Sequence, residues 1–176
     1  VGHETFQIKY NVSGNASNVY TIFGNTAMPM SCPSAYQVEK PIGSDIGGVA
    51  NAFFSTRPEA QYDSWLSVGI TDGNSDVMGN IGLDFDQWNE TSALTATDGA
   101  VFLMNPDLGP DTNVVLAQLT LPVTRSESTF TAGLQGRSVS GDDWQEGFNI
   151  VIPAGDPAFQ GNVPSPTAAV ADTLTV

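Results

Sequence analysis

Oxygen-bearing side chains alternate along Asp72-Gly73-Asn74-Ser75-Asp76, the spacing that opens an EF-hand calcium loop. Hard cations such as Ca2+ take carboxylate and carbonyl oxygens, so Asp72, Asn74 and Asp76 are the candidate metal ligands. The pattern then breaks. Val77 stands where the loop requires glycine, and Leu83 where it requires a bidentate glutamate. An EF-hand is excluded. What remains is either a looser Ca2+ site completed by distant oxygens or a hairpin turn whose Asp and Asn satisfy the local backbone.

Catalytic chemistry finds less support. Two acidic clusters, Asp84, Asp86 and Glu90 and then Asp142, Asp143 and Glu146, have the residue types of a glycosidase pair. A chain with 19 Asp and Glu makes close pairs inevitable, however, and a solvated acidic loop explains them as well. The one histidine, His3, lies in an N-terminal position expected to be mobile. That leaves no oriented base for a serine or cysteine nucleophile. Gly-X-Ser-X-Gly is absent, and one His with one Cys cannot build a zinc site. The reading is non-enzymatic, with no catalytic residues.

Three tryptophans, Trp65, Trp88 and Trp144, have the flat apolar faces that stack on sugars, and equally the bulk that fills a core. Three Asn-X-Ser/Thr sequons mark Asn11, Asn15 and Asn89 as acceptors for N-linked glycans in a chain that passes through a secretory pathway. Two of them crowd into residues 11–17, which points to an extracellular or cell-surface glycoprotein.

Composition narrows the partners. Nineteen acidic residues against five Lys and Arg give a formal net charge of -14. Five scattered cations cannot make a phosphate-binding face, which excludes nucleic acid and an anionic membrane surface. No 18-residue apolar run exists, so membrane insertion is not expected. The lone Cys32 forms no intrachain disulfide and reads as a buried small hydrophobe. The chain begins at Val1 rather than Met, which fits a processed protein.

The elements that position these residues are strands. Phe6, Ile8, Tyr10 and Val12 alternate with polar neighbours, and residues 18–23 read as a partner strand across a hairpin that carries the Asn11 and Asn15 sequons. Short strands are expected at 36–39 and 49–55. Tyr62, Ser64, Leu66, Val68 and Ile70 share one face of a longer strand over 62–71, with Trp65 on the other. Further strands fall at 79–85, 100–104, 114–121, 129–134 and 144–152. Residues 86–94 can hold only a turn or two of helix. Short strands separated by Gly, Pro and Asn specify an all-β fold, an antiparallel β-sandwich of jelly-roll or immunoglobulin-like kind, over residues 1–152. Residues 153–176 change character. They are rich in Pro, Ala, Ser and Thr, include the stalk-like Pro164-Ser165-Pro166-Thr167, and end in the strand-like Leu174-Thr175-Val176.

The runs Tyr20-Thr21-Ile22-Phe23-Gly24, Met28-Pro29-Met30, Ala35-Tyr36-Gln37-Val38, Gly47-Gly48 and Tyr62-Asp63-Ser64-Trp65-Leu66-Ser67-Val68-Gly69-Ile70-Thr71-Asp72-Gly73 carry a resemblance. So do Asp98-Gly99-Ala100-Val101-Phe102, Asn105-Pro106, Gly109-Pro110, Val115-Leu116-Ala117-Gln118-Leu119-Thr120 and Gln135-Gly136-Arg137-Ser138. Over residues 19–152 the chain resembles uncharacterised secreted proteins of algae and other aquatic eukaryotes. Cys32 stands where that family has a small or apolar residue, which implies packing. More loosely, the chain is similar to protomers of glycosylated extracellular filaments from natural water, in which a sandwich subunit lends a terminal strand to the next. That resemblance implies head-to-tail assembly of copies of this chain by strand donation, with Leu174, Thr175 and Val176 as the assembly residues. The alternative is an extracellular carbohydrate-binding module in which Trp88 or Trp144 and calcium near Asp72 hold a sugar.

Overall fold

The computed structural model describes residues 2–156 and the backbone of residues 167–169. Eleven strands run in chain order: β1 His3–Tyr10, β2 Thr21–Gly24, β3 Met30–Cys32, β4 Trp65–Leu66, β5 Met78–Ile81, β6 Leu94–Ala96, β7 Gly99–Leu103, β8 Val114–Pro122, β9 Ser128–Arg137, β10 Asp143–Ile152 and β11 Thr167–Ala169. They form two sheets. The first has the order β11-β1-β8-β4, with β1, β8 and β4 antiparallel and β11 added in parallel outside β1. The second is antiparallel and centred on β9, which pairs with β10 along its whole length. The other edge of β9 is shared by β2 and β3, which lead outward to β7 and β5 and to β6. The all-β sandwich fold is as the strand pattern predicts, and no α-helix occurs among the described residues.

The core lies between the sheets. Ile8 and Tyr10 of β1, Leu119 and Leu121 of β8, Phe130 and Leu134 of β9, and Phe148 and Ile152 of β10 are all buried there. β10 follows strand physics closely. Trp144, Phe148 and Ile152 are buried while Asp143, Gln145, Gly147, Asn149 and Val151 are exposed. Phe130 and Phe148 meet edge to face at 5.0 Å between ring centroids. Cys32 is fully buried, and burial pushes its thiol well up.

Several expectations need correction. β1 and residues 18–23 do not form a hairpin. β1 pairs with β8 in one sheet, and β2 pairs with β7 and β9 in the other. Residues 36–39 are irregular, and 49–55 contain a 3-10 turn, Asn51–Phe53. Of residues 62–71 only Trp65–Leu66 is strand. The period-2 signal there is misleading because residues 63–68 are buried throughout: they run beside β8 at the edge of the first sheet and join irregular segments that form a third layer over its outer face. β3 and β6 are too short to show a periodicity.

That third layer is organised by Asp63, which has no solvent exposure. Its Oδ1 accepts the Val38 amide at 2.7 Å and its Oδ2 the Ser44 amide at 2.6 Å. Gln118 of β8 donates from Nε2 to the carbonyls of Gln61, at 3.1 Å, and Asp63, at 2.8 Å. The Ser64 hydroxyl accepts the Thr120 amide, and the Tyr36 amide bonds the Thr120 carbonyl. These bonds replace the strand partners that the covering segment lacks.

Burial raises the Asp63 carboxyl to about 6, against the lowering pull of the amides of Val38, Ser44 and Ser64. The folded chain therefore holds this proton at a pH where the unfolded chain has released it. The resulting stabilisation is fully present below about pH 4, amounts to about 3 kcal/mol for a shift of roughly two units, and is lost as pH rises through about 6. Asp63→Asn should abolish this slope in urea unfolding measured from pH 4 to 7. It should also lower stability at pH 7 by about 1–3 kcal/mol, because a carboxamide offers one acceptor oxygen where two amides need one each.

Candidate functional site

The structure scatters the residues singled out for metal and acid chemistry. Asp72 Oδ1 accepts the Asn74 amide at 3.0 Å, which makes a local turn, and Asp76 lies in the 3-10 turn Ser75–Val77. Among the described residues no group of three or more His, Cys, Asp or Glu is placed to hold a metal. The acidic clusters separate too. Asp86 pairs with Lys40 at 3.0 Å, Glu90 with His3 at 2.7 Å, and Asp143 with Arg137 at 2.7 Å. Asp142 accepts from the Ser140 hydroxyl, while Glu146 faces inward on β10. Neither cluster presents two carboxylates to one cleft. His3 is not a loose terminus, since it lies in β1 and its ring packs on Tyr36 at 5.7 Å.

The tryptophans are packing residues. Trp88 donates its indole N–H to the Pro33 carbonyl and packs beside Phe85. Trp144 donates to the Arg137 carbonyl and lies against Tyr10. Both are closed off from solvent, which removes them as sugar platforms. Trp65 lies opposite Leu66 as expected, but at 3 % exposure it forms the floor of a depression rather than an open face.

The sequons differ in environment. Asn15 is exposed in the turn after β1. Asn89 is exposed, and its Oδ1 accepts both the amide and the hydroxyl of Thr91. Asn11 is half-buried, and its Oδ1 holds the amide of Asn113, a residue with φ +50°.

Two features gather side chains around β1. The first is the edge of the first sheet at β1. Phe6, Gln7 and Ile8 pair in parallel with residues 167–169, the only part of the tail beyond Asp156 among the described residues. Arg125 ties this edge to the point where the tail leaves β10. Its guanidinium is 2.6 Å from Glu4 of β1 and lies over the Phe6 ring at 4.8 Å. Its Nε donates to the Pro153 carbonyl, and its own carbonyl accepts the Gly155 amide. Glycine is required at 155, since a Cβ there would lie 2.2 Å from the Val123 carbonyl oxygen. Leu174, Thr175 and Val176 lie outside the described residues.

The second feature is the outer face of the first sheet, where the covering layer leaves two adjoining depressions. One, of about 470 Å³, is lined by His3, Thr5, Tyr36, Glu59, Tyr62 and Thr120 among others. The other, of about 280 Å³, contains Gln7, Asn51, Phe54, Trp65 and Gln118. Gln61 and Tyr62 line both. Burial, then the charges of Glu59, Asp63 and Glu90, raise the Tyr36 phenol and keep it a neutral donor. Sequence reasoning missed this groove because its aromatic walls come from three separate places, β1 for His3, irregular chain for Tyr36 and the 3-10 turn Pro58–Tyr62 for Tyr62.

No family model, no curated protein and no solved structure matches the chain. No helix among the described residues is long and apolar enough to cross a membrane.

Arg125→Ala should destabilise the chain by about 2–3 kcal/mol, because the side chain is 8 % exposed and its removal leaves Glu4 and two carbonyls without their charged donor. Hydrogen exchange should show faster protection loss at Gly155 and along β1 than in β9 and β10.

Proposed function

We propose that the chain is a structural subunit of an extracellular glycosylated filament or cell-surface coat, assembled head-to-tail by donation of the tail strand to the β1 edge of the next copy. The observation that carries this reading is the parallel pairing of Thr167–Ala169 with Phe6–Ile8. A short strand of Thr, Ala and Ala brings little side-chain bulk, so its attachment rests on main-chain hydrogen bonds. The same bonds are available from another copy. Exchange of an identical element between protomers costs little, because the ladder broken within one chain re-forms between two. Each subunit then gives one strand and receives one, and such a heterologous contact runs on into an open filament when its rotation does not close.

The linker composition suits the exchange. Residues 157–166 include Pro157, Gly161, Pro164 and Pro166, the residue types of an extended spacer rather than of a packed element. Leu174, Thr175 and Val176, whose apolar and polar side chains alternate as in a strand, lengthen the segment available for donation.

A chain ending at Asp156 should be monomeric by size-exclusion chromatography with light scattering, while the full chain forms fibres visible by electron microscopy. Normal polymerisation of the shortened chain would end the tail-donor reading. Glycosylation is read separately. Made through a eukaryotic secretory pathway, the protein should carry N-glycans at the exposed Asn15 and Asn89 and not at Asn11, which is half-buried. Peptide mass spectrometry after amidase release records each occupied Asn as Asp.

A further inference from the structure

We infer that the two depressions on the outer face of the first sheet form one groove that binds a neutral oligosaccharide. They share Gln61 and Tyr62 and lie along β1, from His3 and Thr5 in one to Gln7 in the other. At about 3.3 Å per residue, the run from position 3 to position 7 is roughly 13 Å long, more than one sugar ring requires. The groove is therefore shaped for a chain of rings rather than a single one.

Its lining has the two components that sugar recognition uses. The faces of pyranose rings are apolar C–H surfaces that rest on aromatic rings, and Tyr36, Tyr62 and His3 supply such rings around the larger depression. Ring hydroxyls need paired donors and acceptors, which carboxamides and hydroxyls provide together. The floor carries these in cross-strand pairs. Thr5 Oγ1 and Thr120 Oγ1 are 2.8 Å apart, and Gln7 Nε2 donates to Gln118 Oε1 at 3.4 Å. Asn51 adds a further carboxamide on the wall and Gln61 an acceptor Oε1, its Nε2 being held by the Pro58 carbonyl, while Gln118, engaged by Gln7, Gln61 and Asp63, fixes the floor. The phenol oxygens of Tyr36 and Tyr62 make no hydrogen bond to another described residue.

Charge selects the class of sugar. Glu59 lines the groove and Glu90 holds His3 at its rim. Arg57, the nearby cation, is already paired with Glu59. An anionic glycan would meet these carboxylates on a chain of net charge -14, whereas a neutral one meets only hydrogen-bonding groups. The groove uses the outer face of β1 and the tail its edge, with Gln7 common to both, and oligosaccharide binding does not depend on the assembly reading.

The test is a titration of the full chain with neutral hexasaccharides of glucose, mannose, xylose and N-acetylglucosamine. An oligogalacturonate and an unstructured Gly/Ser-rich peptide accompany them. Amide chemical shifts and calorimetry give the readout. At least one neutral oligosaccharide should bind, shifting the amides of Thr5, Gln7, Gln61 and Tyr62, while the oligogalacturonate does not. Tyr62→Ala should weaken binding about tenfold or more, and Tyr62→Phe should retain most of it, since the ring supplies the stacking face. The Phe variant and the shift map both report on the folded protein, so a poorly folded Ala variant leaves the test intact. The inference is overturned if no neutral oligosaccharide binds by about 10 mM, if the shifts map elsewhere, or if only the peptide binds.

Discussion

A carboxylate with no solvent exposure shapes the face of this protein that matters most. Asp63 collects amides from Val38 and Ser44, residues far from it in sequence, and its own carbonyl receives Gln118 of β8. An irregular segment carries many backbone polar groups that water would otherwise satisfy, and covering a sheet with one is costly unless each group finds a partner. Asp63, Ser64 and Gln118 supply those partners in a single cluster. Desolvation outweighs the pull of three amide bonds and raises the Asp63 carboxyl to about 6. Beyond the short β4 ladder to β8, this clamp ties the residue 38–44 loop to the covering segment that carries Tyr62.

The parts of the fold that are legible in sequence are those with one wet and one dry face. β10 alternates cleanly, and Phe6, Ile8, Tyr10 and Val12 of the first strand region pack toward the core as their spacing implies. Residues 62–71 mislead for the opposite reason. Residues 63–68 run beside β8 and are buried without interruption, so Asp63 and Ser64 are interior despite being polar. The mistaken hairpin has a topological cause. Adjacent strands usually pair, yet residues 11–20 here cross from one sheet to the other, as sandwich connections do. By residue type alone Trp88 and Trp144 suit sugar platforms, and only geometry reveals that their N–H groups end on buried-side carbonyls. The strand patterns that took in Tyr36 and Tyr62 did not place them on a groove, because Tyr36 lies in irregular chain and Tyr62 ends the 3-10 turn Pro58–Tyr62.

Charge sets the terms on which such a subunit meets another copy. At a net charge of -14, two domains repel, and an interface built from their acidic surfaces would be unfavourable at low salt. Residues 157–176 contain one charged side chain, Asp172. A nearly neutral segment bonding through its backbone is the part of this chain best able to approach a like-charged neighbour. In the proposed assembly the acidity, which by composition suggests a cation site, would act as a filter on which contacts between copies are tolerable.

β1 is where the two proposed roles meet. Its outer edge takes the tail strand at Phe6–Ile8, while its outer face supplies Thr5 and Gln7 to the floor of the groove. Those positions interleave along the same few residues. A strand paired on both edges moves less than one paired on a single edge, and a floor held still costs a ligand less to order. In an assembly built by strand donation, each received strand therefore also braces the groove of the subunit that receives it. A free end, whose β1 edge is empty, would present the same side chains on a looser support. The coupling needs no conformational switch, only one strand whose edge and face serve different partners.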